Sequence, residues 1–142
     1  FFKKLLNENK TSLPITDERM TRFLISLDES VELIDWALSH PDSHGNIVVP
    51  KLDALKITDL AHELLSHYEV KNPSLEYVGI RPGEKLHEEM VSLEESLRTK
   101  KYDKYFMITD QVINDDAWSY SSDSVVLDRK DVEKFLKSKK VI

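Results

Sequence analysis

Three features of the 142-residue sequence predict an α/β (α+β) fold. Capped amphipathic helical stretches alternate with short β-branched runs, so helices and strands share one core. Apolar residues make up 40%, enough for one domain with a real core, and the chain is too short for two. Gly45, Gly79 and Gly83 are the only glycines, and neither G-x-G-x-x-G nor G-x-x-x-x-G-K occurs among them. The chain therefore has no phosphate-cradling glycine loop, and residues 1–142 read as a single domain.

Each element has its own local signal. Residues 1–8 fit a short amphipathic helix whose Phe1, Phe2, Leu5 and Leu6 share one side. Residues 9–22 read as loop, with Pro14 and several hydroxyl and acidic side chains. Ser26-x-x-Glu29 has capping-box form and opens a helix over 27–39, with Val31, Leu33, Ile34 and Leu38 as its apolar face. His40–Gly45 is a turn, and Asn46–Val49 has the composition of a buried strand stopped by Pro50. Thr58 is placed to cap a helix over 59–68, with Leu60, Ala61, Leu64 and Leu65 inward. After a turn at Asn72-Pro73-Ser74, Leu75–Ile80 reads as a strand, and Arg81-Pro82-Gly83-Glu84 turns at once. Lys85–Met90 fits either a helical turn or an extended piece. Ser92-x-x-Glu95 opens a short helix, and Tyr105–Thr109 reads as a strand. Residues 110–124 are polar and mostly irregular, and Asp128 caps a helix over 129–138 striped by Val132, Phe135 and Leu136.

Composition excludes several functions. Lys plus Arg is 20 and Asp plus Glu is 26, a net charge of −6 that repels nucleic-acid phosphates. No apolar run approaches the ~18 residues of a membrane span. Absence of Cys removes disulfides and thiolate zinc sites, and the composition suits a cytoplasmic protein. His62 and His67 stand five apart in H-E-L-L-S-H, so at ~100° per residue the rings diverge and do not form an H-E-x-x-H zinc pair. His87-Glu88-Glu89 reads as a polar turn. The chain opens on Phe1-Phe2 with no initiator Met and no signal-like apolar run, which suggests part of a longer chain.

Two constellations carry chemistry. In Gly79-Ile80-Arg81-Pro82-Gly83-Glu84-Lys85, a strand end meets a Pro-Gly turn that projects an Arg and a Glu. A guanidinium fork suits a diphosphate, and a carboxylate accepts the vicinal hydroxyls of a ribose. On spacing alone an exposed turn with an Arg–Glu ion pair, worth ~0–1 kcal/mol, is the simpler account. In Leu13-Pro14-Ile15-Thr16-Asp17 followed by Met20-Thr21-Arg22-Phe23, an Arg lies between a rigid polar loop and an apolar run. It fits a second phosphate donor, or an Arg that snorkels over the core.

In order along the chain, these two segments join Phe1-Phe2-Lys3-Lys4-Leu5, Val49-Pro50-Lys51, Thr58-Asp59-Leu60-Ala61 and Tyr120-Ser121-Ser122. The series, above all Ile80-Arg81-Pro82-Gly83-Glu84-Lys85-Leu86-His87-Glu88, resembles the C-terminal part of the UDP-N-acetylglucosamine 4,6-dehydratases of capsule and flagellin-sugar biosynthesis. Those enzymes are extended short-chain dehydrogenase/reductases. The resemblance implies an N-terminal Rossmann half that binds NADP or NAD, and a smaller half that binds the UDP-sugar. It implies a reaction in which hydride leaves C4 of the sugar, water is eliminated across C5–C6, and the hydride returns to C6. By resemblance, Arg22 and Arg81 contact the diphosphate, Glu84 the ribose, and Pro14 and Thr16 the loop beside the uracil. No Tyr here has Lys four residues on, so no catalytic Tyr-x-x-x-Lys is present and the chain alone is expected to be inactive. Leu24 stands where many relatives have Trp, and residues 97–118 match poorly.

The expected partners are a UDP-sugar, a Rossmann half in the same or another chain, and further copies in a homo-oligomer. Without that half, Leu33, Ile34, Ile47 and Val48 are expected to expose apolar surface. The other reading is a free-standing UDP-sugar-binding or regulatory module without catalysis.

Overall fold

The computed structural model describes residues 1–142. Its elements are α1 (Phe2–Asn7), β1 (Ser12–Ile15), β2 (Thr21–Phe23), α2 (Leu27–Ser39), β3 (Ile47–Pro50), β4 (Ala54–Lys56) and α3 (Ile57–His67). They continue as β5 (Ser74–Tyr77), β6 (Glu89–Val91), α4 (Leu93–Ser96), β7 (Thr99–Lys101), β8 (Tyr105–Ile108), β9 (Tyr120–Ser121) and α5 (Arg129–Ser138). The strands make four small sheets: parallel β1–β5, and antiparallel β2–β4, β3–β8–β7 and β6–β9. The α/β class is as the sequence predicts.

Apolar periodicity decides what is buried. α3 sends Ala61, Leu64 and Leu65 against Leu6 of α1 and against Leu13 and Ile15 of β1. α5 sends Val132, Phe135 and Leu136 against Leu55 of β4. Val49, Val91, Phe106, Ile108 and Tyr120 form a third cluster between the other two antiparallel sheets. Both predicted capping boxes are present. The Glu29 amide donates to Ser26 Oγ at 3.2 Å and the Ser26 amide to Glu29 Oε2 at 2.8 Å, with the same exchange between Ser92 and Glu95.

Several expectations fail, each for a physical reason. Residues 9–22 are not all loop, because β1 pairs in parallel with β5 and β2 starts at Thr21. Pro14 is tolerated there because a two-stranded sheet has only edge strands, where a missing N–H costs little. β3 does end at Pro50 as expected, but it includes that residue, opposite Tyr105 on a sheet edge. Thr58 does not cap α3. Lys56 of β4 runs straight into the helix, and the Ile57 amide donates to the Met20 carbonyl at 3.0 Å. Asp128 precedes α5, yet its side chain makes no cap bond. The strand expected over 75–80 ends at Tyr77, and Lys85–Met90 is not a helical turn: it bends at Leu86–His87 and enters β6 at Glu89. β4, β7 and β9 have two or three residues each, too few for any periodicity to show.

α2 departs furthest from its apolar face. It has no buried residue, and Leu27, Val31, Ile34 and Leu38 all face outward. Ile47 of β3 is likewise exposed, whereas Leu33 and Val48 are half-buried. The helix is held at its other side. Trp36 packs on Tyr102 and Tyr105, with ring centroids 5.2 and 4.7 Å away. Asp28 and Glu29 pair with Lys140 and Lys139 beyond α5.

The contrast between α5 and α2 is measurable by chemical denaturation. Leu136→Ala should destabilise the chain by about 2–5 kcal/mol, the usual cost of emptying a fully buried Leu site. Ile34→Ala, at a position 58% exposed, should stay within about 0.5 kcal/mol of the parent.

Candidate functional site

The site begins with a turn. The Glu84 amide donates to the Arg81 carbonyl at 3.0 Å, Pro82 fixes the first central position, and Gly83 takes φ of +84° at the second. That is a type II turn, and its second central residue needs the left-handed freedom of glycine. The turn presents the Arg81 side chain to solvent and folds Glu84 back. Glu84 Oε2 accepts from the Arg81 amide at 3.3 Å, and Oε1 lies 3.5 Å from Thr16 Oγ1.

That contact closes a cleft of about 310 Å³. Its polar wall is Thr16, Arg22, Arg81 and Glu84, with Pro14 beside them at the end of β1. Met20, Ile57 and Val78 give it an apolar floor. All five residues that the sequence singled out, separated by up to 70 positions in the chain, therefore line one space.

Arg22 sits differently from the expectation of an open phosphate donor. Its Nη1 donates to the Thr21 carbonyl at 2.7 Å and to the Leu86 carbonyl at 3.0 Å, and Nη2 donates to the Lys85 carbonyl at 2.9 Å. Its Nε lies 3.5 Å from a Glu88 carboxylate oxygen. Most of its donor fork is spent on backbone, while its charge stays at the cleft. Arg81, exposed and on the turn, keeps its guanidinium free of any such bond.

Asp17 and Arg19, between β1 and β2, form a tight pair. Arg19 donates from Nε to Oδ1 at 2.9 Å and from Nη2 to Oδ2 at 2.8 Å, and its amide also donates to Oδ1, at 2.8 Å. The guanidinium bonds, then the amide bond, lower the Asp17 pKa from 3.8 to about 2.

Sequence reasoning missed the support behind the cleft. Thr21 Oγ1 lies 2.8 Å from His87 Nδ1 and 2.7 Å from Ser122 Oγ. Tyr120 exchanges two hydrogen bonds of 2.6 Å with the Leu52 backbone, and burial pushes its phenol pKa up, so it stays neutral. Tyr120-Ser121-Ser122 was visible only as part of the resemblance. Contacts across 66 and 101 residues leave no local pattern to read.

The remaining sequence candidates do not assemble. His62 and His67 are both exposed, and no three His, Asp or Glu side chains gather as metal ligands. A larger groove of about 660 Å³ includes Arg19, Lys56, Asp59, His62 and Arg129. Its two arginines are already engaged, Arg19 by Asp17 and Arg129 by Asp59 and Glu63.

A family model described as polysaccharide biosynthesis protein matches residues 1–110. The chain belongs to this family. Within it, the chain is 44% identical over 114 residues to the inverting UDP-N-acetylglucosamine 4,6-dehydratase of Campylobacter jejuni serotype O:2, covering 79% of this chain and 32% of the relative. It is 40% identical over 96 residues to the UDP-glucose 4-epimerase of Rickettsia massiliae, covering 68% of this chain and 28% of that one. The chain thus spans about a third of the length of the curated relatives it matches. Among solved structures, the X-ray structure of Pen from Bacillus thuringiensis superposes with a TM-score of 0.83 over 99% of this chain and 45% of its own. At 22% identity, that likeness speaks for the fold alone. No helix of this family member is long and apolar enough to cross a membrane.

The Asp17–Arg19 pair generates a pH prediction. A carboxylate whose folded pKa is lowered contributes stability above its ordinary value and loses it as pH falls. For Asp17 the loss runs from pH 3.8 down through about 2. Carboxyl carbon shifts in an NMR titration should place its midpoint near 2, and Arg19→Ala should return it toward 3.8. A midpoint that Arg19→Ala leaves unchanged would contradict the pairing.

Proposed function

We propose that this chain forms the nucleotide-sugar-binding portion of a UDP-N-acetylglucosamine 4,6-dehydratase. One observation carries the proposal: Pro14, Thr16, Arg22, Arg81 and Glu84 line a single cleft. The names of the relatives support it, since the dehydratase and the epimerase both act on UDP-linked sugars by name. The higher identity and coverage favour the dehydratase.

In this reading Arg81 supplies the open fork for the diphosphate. Arg22 supplies a second positive charge at the cleft while its own donors hold the opposite wall. Two cations against two phosphate charges leave Glu84 to accept the ribose hydroxyls without facing uncompensated negative charge. Pro14 and Thr16 flank the uracil. Binding energy collected at the UDP end positions the hexose for chemistry on the rest of the protein. That chemistry needs NADP or NAD, and the residues here do not fit such a cofactor. Gly45 and Gly83 lie in separate turns and Gly79 in the irregular stretch after β5, and none opens a helix that could receive a pyrophosphate. No hydride or proton step is assigned to these side chains. The cofactor belongs to a Rossmann half in the same or another chain.

UDP titration by calorimetry tests the assignment. Charge-assisted hydrogen bonds contribute about 1.5–3 kcal/mol, so Arg81→Ala should weaken UDP by roughly ten- to a hundredfold. Glu84→Ala should weaken UDP more than it weakens a 2′,3′-dideoxy analogue. Unchanged affinity in Arg81→Ala removes the diphosphate role, and equal losses for the two ligands in Glu84→Ala remove the ribose role.

A further inference from the structure

The Arg81–Glu84 turn has no secondary structure of its own, and the segment that follows it is pinned at both sides. On one side β2 holds it. The Thr21 amide donates to the Leu86 carbonyl at 3.1 Å, and Arg22 holds the carbonyls of Lys85 and Leu86. On the other side Ser122 holds it. The Glu88 amide donates to Ser122 Oγ at 2.9 Å, and the Ser122 amide donates to the Glu88 carbonyl at 2.8 Å.

The two sides meet in a buried pair of hydroxyls. Thr21 Oγ1 and Ser122 Oγ are 2.7 Å apart, at residues 2% and 0% exposed. Ser122 Oγ also lies 3.2 Å from the Thr21 carbonyl, and His87 Nδ1 closes the chain on Thr21 Oγ1 at 2.8 Å. With Thr21 Oγ1 donating to His87 Nδ1 and Ser122 Oγ donating to Thr21 Oγ1, every member has a partner, and no buried side-chain polar atom in the molecule lacks one. Removing one hydroxyl strands the others away from water, which costs more than the bond itself. Ser122 lies beyond residues 1–110 that the family model matches, so a segment outside that stretch holds the run that follows the turn.

We propose that Ser122 and Thr21 are positioning residues for the nucleotide cleft: their paired hydroxyls fix residues 86–88 and, through them, set Arg81 and Glu84 for the nucleoside diphosphate. Neither touches the ligand. The inference rests on the reading of the cleft as a UDP site and gives Ser122, which lies outside residues 1–110 of the family match, a role in it.

The experiment is a UDP titration on the full chain with a double-mutant cycle. Ser122→Ala should lose about tenfold in affinity, the effect of one or two net hydrogen bonds. Thr21→Val should lose a similar factor, and Thr21→Ser, which keeps the hydroxyl, should restore it. If Ser122 acts through the turn, Ser122→Ala combined with Glu84→Gln should lose less than the product of the two single losses, and so should Ser122→Ala combined with Arg81→Ala. A purely structural role would give independent, multiplying losses in that cycle, and multiplying losses overturn the inference. So does parent-like affinity in Ser122→Ala. Should Ser122→Ala fail to fold, the Thr21→Val and Thr21→Ser pair decides, and equal affinity in those two overturns the inference. A parent chain that binds no UDP removes the cleft reading together with this inference. A parent that binds while every variant binds equally removes this inference alone.

Discussion

The carbonyls of Lys85 and Leu86 are held by the guanidinium of Arg22, and much of the molecule depends on where that clasp lies. It joins β2 to a segment more than sixty residues later in the chain. It sets the end of the Arg81–Glu84 turn and therefore the far wall of the cleft. A guanidinium suits this because its planar fork can serve several carbonyls in fixed directions, which a lysine ammonium cannot do as rigidly. The clasp also keeps a positive charge at the cleft edge, so one residue serves both architecture and electrostatics.

Around that clasp the core is divided into three small clusters. Each is built where a helix stripe or a short strand finds a partner distant in sequence. α5 buries its stripe, α3 buries all of its own but the half-buried Leu60, and α2 buries none of its own. Leu27, Val31, Ile34 and Leu38 make an exposed apolar row on α2, and Ile47 of β3 is exposed as well, surface of the kind that larger assemblies cover. It accords with a chain that spans only about a third of its relatives' length.

How much of this was legible in the sequence follows from how local each signal is. The capping boxes at Ser26/Glu29 and Ser92/Glu95 could be read because both partners lie within one turn of helix. The stripe of α5 could be read because ten residues give the helical period room to repeat. β4 and β7 were not legible, since three residues carry no period and their pairing is set by strands elsewhere. Thr58 misled because it has the right residue type, yet the first helical amide already had the Met20 carbonyl. The cleft was legible through residue chemistry and resemblance, which together named Pro14, Thr16, Arg22, Arg81 and Glu84. Its support was not, because Thr21, His87 and Ser122 become a unit only after the chain has folded.

The account's central claim is that the space between the end of β1 and the Arg81–Glu84 turn receives UDP. A crystal structure of the chain grown with UDP tests it most directly. The account places the diphosphate against Arg81, the ribose hydroxyls on Glu84, and the uracil beside Pro14 and Thr16. Density for UDP in the larger groove lined by Lys56 and Arg129, with the cleft left to solvent, would contradict it.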